Sequence, residues 1–289
     1  MVKHSVNKLP KNTVELLVEI PWEIILKQYD KAFDVLAKDL QVEGFRKGKA
    51  PKSVAQKHIP KDRVYDAAIR AYLPEVYEEL VKKEGIKPIA QPKIDLIEAK
   101  ENETWKVSFK IPLAPAVKIK GYREIVTKAK QEAKKTEIWV PGKDEKDVQP
   151  DPNKQKEAVL QAVLNALVEK IDVEISDVIV QEEVNARLIK LVEDLQKLGI
   201  SLDQYVQSRN TTIEKLREQL TKETTETYKL EFILQAIGDE EKVAVEKEDI
   251  EKMMGALQNE KERQAFLRNG YYYASLLRKQ KILELLVNL

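Results

Sequence analysis

The residues best equipped for chemistry lie between Gly44 and Lys61. They comprise six cations (Arg46, Lys47, Lys49, Lys52, Lys57 and Lys61), one aromatic ring at Phe45, and no carboxylate. Cations without counter-charges repel one another, so an exposed loop of this kind suits contact with something anionic. Phe45 beside Arg46 adds an apolar anchor next to a planar cation, residue types that dominate interface hot spots. Gly44, Gly48 and Pro51 keep the segment out of regular helix. A solvated basic turn between two helices is the plain alternative.

Other chemistry finds little support. The chain has no cysteine and two histidines, His4 and His58, so thiolate sites, disulfides and histidine-centred metal sites or triads are not expected. Gly44 to Lys49 is not a phosphate loop, because the four-residue gap between glycines and the Ser/Thr after Gly-Lys are missing. The many carboxylates fall on polar helix faces, where solvated charge is the default. Asn102-Glu103-Thr104 matches a glycosylation sequon, which has no meaning without secretion. The expectation is a protein that is not an enzyme, with no catalytic residue, metal site or cofactor.

Composition bounds the rest. A chain of 289 residues, 34% charged and 6% aromatic, has room for two domains with modest cores. The amino terminus lacks the apolar core of a secretory signal, and no apolar run approaches membrane-spanning length. A soluble, cytoplasmic protein without a membrane partner is expected. The net charge of +1 hides an asymmetry: residues 1–130 hold 26 Lys/Arg against 18 Asp/Glu, and the remainder hold 24 against 31. A basic first part and an acidic second part suggest different partners.

The elements that must position the basic loop are legible as patterns. Val14, Leu16, Val18 and Ile20 alternate with polar residues, as do Trp105, Val107, Phe109, Ile111 and Leu113, and Ile94 and Leu96 mark a shorter strand. Pro21 opens a helix whose stripe is Ile25, Tyr29, Phe33, Leu36 and Leu40. After the loop, Pro51 starts a short helix through His58, and a longer one carries Tyr65, Ile69, Tyr72, Val76 and Leu80. Pro74 inside it should kink or divide it. Three strands and a helical excursion make a small α+β domain over residues 1–120.

Residues 121–156 read as a linker, rich in Lys, Pro and Asp and poor in apolar residues, with Ile138-Trp139-Val140 as an apolar exception. Residues 157–289 read as an all-helical domain. Thr211 and Glu214 form a capping-box pattern ahead of a helix that can run to Ile237. Met253, Met254, Leu257 and Phe266, followed by Tyr271-Tyr272-Tyr273, offer thioethers and rings that suit promiscuous apolar binding. Packing inside a helix pair is the competing explanation.

With these residues in place, the chain resembles the trigger factor family of bacterial ribosome-associated chaperones. Gly44-Phe45-Arg46-Lys47-Gly48-Lys49-Ala50-Pro51 is similar to that family's ribosome-binding motif, with Lys52 just beyond it, and Ile86-Lys87-Pro88-Ile89-Ala90-Gln91-Pro92 also agrees. The helical part resembles the family's carboxyl-terminal domain with its arms. The resemblance implies docking of Phe45, Arg46 and Lys47 beside the nascent-chain exit of the large ribosomal subunit, on protein and RNA. It also implies a helical domain holding unfolded or nascent chains, with client contact near Met253, Met254, Leu257 and Phe266, and a homodimer away from the ribosome. Family members carry a peptidyl-prolyl isomerase domain between these regions, and residues 127–156 are too few to supply one. A smaller departure is Glu174, where relatives have a helix-opening proline. The reading is an ATP-independent chaperone without isomerase activity. The alternative is a ribosome- or nucleic-acid-binding factor that holds no clients.

Overall fold

The computed structural model describes residues 2–136, 152–256, 259, 263, 264, 266 and 268–289. The chain divides into two compact units. One comprises Met1–Ala114 with Ser176–Ile179, the other Pro115–Ile175 with Val180–Leu289.

The first unit is a four-stranded antiparallel sheet with a helical excursion. Strands β1 (Lys3–Leu9) and β2 (Thr13–Ile20) form a hairpin, followed by helices α1 (Trp22–Asp39), α2 (Lys52–His58) and α3 (Lys61–Lys83), then β3 (Lys93–Glu98) and β4 (Trp105–Pro112). The spatial order is β1-β2-β4-β3. Lys11 and Asn12 both take positive φ in the hairpin turn, which matches the right-handed twist of the flanking strands. The alternating residues of β2 and β4 face one side, where Leu16, Val18, Ile20, Val107, Phe109 and Ile111 pack with Ile25, Leu73, Val76 and Leu80 from the helices. Strand β1 adds to the three expected from the pattern. It is an exposed edge, so its sequence KHSVNKL carries little apolar alternation.

Helix α3 is not divided at Pro74. The proline sits on the exposed face, where the carbonyl it leaves unpaired can reach water, while Leu73, Val76 and Leu80 anchor the buried face.

The second unit is helical: α4 (Tyr122–Thr136), α5 (Pro152–Lys170), α6 (Asp177–Lys197, whose first turn lies with the sheet unit), α7 (Leu202–Ser208), α8 (Ile213–Glu240), α9 (Lys247–Ala256) and α10 (Gly270–Asn288). Helix α4 corrects the expectation of a linker over 121–156. Tyr122, Val126 and Ala129, at spacings of four and three, are buried against Val163, Leu167, Ile233 and Leu286. The Tyr122 hydroxyl and Arg123 both donate to Glu241 beyond the end of α8, and together they hold its carboxyl below the usual range. Lys130 Nζ donates to the Val287 carbonyl at 2.7 Å. The apolar cluster Ile138-Trp139-Val140 lies outside the described residues.

Helix α8 begins one residue later than the sequence suggested. Thr212, not Thr211, is the cap and accepts from the Lys215 N–H at 3.3 Å. A complete capping box forms instead at α7, where Ser201 and Gln204 satisfy each other's backbone N–H groups.

Candidate functional site

The basic segment is a loop between α1 and α2, and its shape is set from below. Phe33 of α1 is buried with Ala55 and Ile59 around α2 and with Val64 and Ala68 of α3, fixing both ends of the loop. Val42 is buried within the loop, so the turn that follows must point outward. Phe45 N–H donates to Val42 O at 3.1 Å, Lys49 N–H to Arg46 O at 2.9 Å, and Gly48 N–H to Leu40 O at 3.0 Å. Gly44 and Gly48 sit at φ +82° and +71°, backbone that other residues adopt only with strain. A Cβ at Gly48 would also lie 2.4 Å from the Lys38 carbonyl oxygen. That glycine is there for a close approach of two backbones.

The result is an outward-facing tip. Phe45 is 40% exposed, far more than a ring of its size needs to be in a packed turn. Arg46, Lys47, Lys49, Pro51 and Lys52 are exposed around it. The loop lacks carboxylates in sequence but acquires some in space. Lys47 Nζ lies 3.0 Å from Asp39 and Lys52 Nζ 3.1 Å from Asp30, both on α1, and Lys61 Nζ is 3.2 Å from Glu101. Lys52 also stands 5.5 Å above the Phe33 ring. Exposed pairs of this kind are worth about 0–1 kcal/mol, so they can be exchanged for stronger anions. Among the described residues, no ion pair engages Arg46, Lys49 or Lys57.

The basic excess of the first 130 residues is shared between units. Residues 1–114 hold 21 Lys/Arg and 17 Asp/Glu, a net of +4, and residues 115–130 hold five and one, another +4. Half of it therefore belongs to the helical unit.

The second candidate set does not come together as expected. Phe266 is only 3% exposed and stacks on Tyr273, with ring centroids 4.6 Å apart, so it is a packing residue. Met253 and Met254 are half-buried on α9, and Leu257 lies outside the described residues. Exposed apolar side chains cluster elsewhere. Tyr271 is 92% exposed, and with Tyr272 and Leu276 it borders a groove of about 710 Å³ whose other walls include Leu234, Val243 and Ile282. Leu198, 72% exposed, stands with Ile200 where α6 ends at Gly199, and Ile189 and Ile213 are exposed on α6 and α8. The tyrosine run was visible in the sequence. Leu198 was hidden, because it continues the apolar stripe of α6 one step past the point where the stripe is covered.

Two family matches cover most of the chain. Residues 2–139 match the family described as bacterial trigger factor protein, and residues 151–286 match the trigger factor C-terminus. Eleven residues, 140–150, separate the two matched regions. The chain is 36% identical over 122 residues to the trigger factor of Enterococcus faecalis, covering 42% of this chain and 28% of that one. It is 32% identical over 136 residues to that of Moorella thermoacetica (47% and 30%), and 32% over 157 residues to that of Lactobacillus gasseri (54% and 33%). The aligned segment thus spans no more than about a third of the length of these relatives. Among solved structures, one from a study of promiscuous substrate recognition in folding and assembly by the trigger factor chaperone superposes with a TM-score of 0.63. It covers 99% of both chains at 15% identity, a likeness of fold.

Proposed function

Because the chain belongs to the trigger factor family, we propose that it is an ATP-independent chaperone that docks at the ribosomal nascent-chain exit and holds unfolded polypeptides. The observation that carries this reading is the α1–α2 loop, in which Phe45 projects among exposed cations from a rigidly tied turn. Arg46, Lys47 and Lys49 suit ribosomal RNA phosphates or acidic ribosomal protein, and Phe45 suits an apolar pocket beside them. Gly44, Gly48 and Pro51 hold the turn in shape. Client contacts need only be weak, because tethering at the exit raises the local concentration of the nascent chain. Lacking chain between its two family regions, the protein is inferred to have no isomerase activity, so a proline-peptide turnover assay should read background.

Asp39 competes with the ribosome for Lys47 in this account. Asp39→Asn should tighten ribosome binding roughly twofold to fourfold, the scale of one exposed ion pair. Weaker or unchanged binding would show that Lys47 is not a contact.

Client holding is assigned to the exposed apolar clusters, Tyr271, Tyr272 and Leu276 on α10 and Leu198 and Ile200 at the α6 end, with Met253 and Met254 as partly exposed additions. The test is suppression of aggregation of a denatured client without nucleotide. Leu198→Ser combined with Tyr272→Ser should lose most suppression while melting like the wild type. Phe266→Ser should instead lose about 3–5 kcal/mol of stability, as large core truncations do. Full suppression by the double variant would refute the assignment.

A further inference from the structure

Strand β3 ends the sheet with an edge that complements itself, and we propose that two copies of this chain associate through antiparallel β3–β3 pairing about a two-fold axis at Asp95. The sheet order leaves β3 bonded to β4 alone, so its outer backbone edge has no strand partner. On the core face, Ile94 lies opposite Phe109 and Leu96 opposite Val107. Phe109 and Val107 are fully buried, whereas Ile94 and Leu96 are 46% and 49% exposed. Among the described residues of this unit, Ile89, Ile94, Leu96 and Ile97 are half of the large apolar side chains left exposed. The opposite edge differs, since β1 presents His4, Val6 and Lys8 on the corresponding face.

The irregularity in β3 decides what fits this edge. Leu96 pairs with Val107 and Glu98 with Lys106, leaving Ile97 as an extra residue. Without it, Lys93 and Glu98 would point to opposite faces, because side chains alternate along a strand. With it, both point away from the core, opposite Lys110 and Lys106. A second copy turned about Asp95 therefore sets Lys93 against Glu98 of the second copy and Ile94 against Leu96 of the second copy, each twice. Such cross-strand ionic and apolar pairs are the units of sheet stability. An arbitrary extended peptide would gain the backbone bonds without the paired charges. The cost falls on Asp95, which meets its own image, but Lys110 at 2.9 Å and Lys93 at 3.8 Å offset that charge. Glu98 already pairs with Lys106 at 2.9 Å, an exposed contact that can be shared. So short an interface falls below the roughly 1,200 Å² of stable complexes, and association should be weak and concentration-dependent. The symmetric arrangement closes at two copies.

The absence of cysteine supplies a direct test. Residues directly opposite across antiparallel strands have Cβ atoms about 4.5–5.5 Å apart, close to disulfide reach. Under mild oxidation, Asp95→Cys should form covalent dimer at least about tenfold faster than Asn7→Cys on the exposed β1 edge, through the raised local thiol concentration. In sedimentation velocity over a concentration series, Lys93→Glu and Glu98→Lys should each reduce dimer, and the double exchange should restore it. Circular dichroism would establish that each variant is folded; should Asp95→Cys fail to fold, the charge exchange decides alone. Equal oxidation rates, a monomer at every concentration, or no rescue by the double exchange would overturn the proposal. None of these readouts depends on ribosome binding or client holding.

Discussion

Replacing Gly238 by valine is expected to lower the melting temperature of the protein by about 5–10 °C. Gly238 is buried in α8 where it crosses α10, and a Cβ there would lie 2.5 Å from Ile282 Cδ1 and 3.3 Å from Arg278 Nη2. Ile282 is itself buried in the helical core, so its terminal carbon has little room to retreat. Alanine at this position regains about 1 kcal/mol of helix propensity, which offsets much of the crowding. Valine regains less, being β-branched, and adds two more carbons to a closed contact, at about 2–3 kcal/mol of overpacking. The displaced Arg278 also carries bonds to Asp239 at 2.6 Å and to the Val243 carbonyl at 2.9 Å, which tie the end of α8 to α10. For a chain of this size, each kcal/mol shifts melting by about 2–4 °C. A melt followed by far-ultraviolet circular dichroism reads this directly. Valine melting with the wild type would mean that the two helices are not in close contact at Gly238.

How far these features were legible in the sequence depends on whether the signal was local. The basic loop was legible because Gly44, Gly48, Pro51 and its cations declare a turn and a charge within ten residues. Strands β2 and β4 were legible because their buried faces impose strict alternation. β1 was not, since an exposed edge asks for no such pattern. Helix α4 was obscured by its own composition: Lys128, Lys130, Lys134 and Lys135 read as linker, and the stripe of Tyr122, Val126 and Ala129 is only three residues long. Phe266 and Tyr271 show the main limit. Both are aromatic residues near the start of α10, and one is buried while the other stands almost free. Periodicity says that a face is apolar but not whether another element covers it, and that depends on tertiary contacts. The ion pairs of Lys47 and Lys52 with Asp39 and Asp30 were missed for the same reason, as the carboxylates reach the loop through the fold rather than the chain.

The largest functional effect is expected at the loop tip. Phe45, Arg46 and Lys47 are exposed, and their backbone bonds survive truncation to alanine, so the triple replacement should leave melting nearly unchanged. It removes the apolar anchor and two of the cations at once. The remaining cations, Lys49, Lys52 and Lys57, lie on the loop's descending side and into α2, without an aromatic among them. Binding by the intact loop should be salt-sensitive, because lysine and arginine meeting phosphates release condensed counterions.

The deciding measurement is cosedimentation of the full chain with bacterial ribosomes, for the wild type and for the Phe45→Ala, Arg46→Ala, Lys47→Ala variant, across a salt series. The wild type should pellet with ribosomes at about 50 mM salt and lose at least tenfold in affinity by about 200 mM. The folded triple variant should stay in the supernatant at both. A triple variant that pellets like the wild type would contradict the assignment of this loop as the ribosome contact.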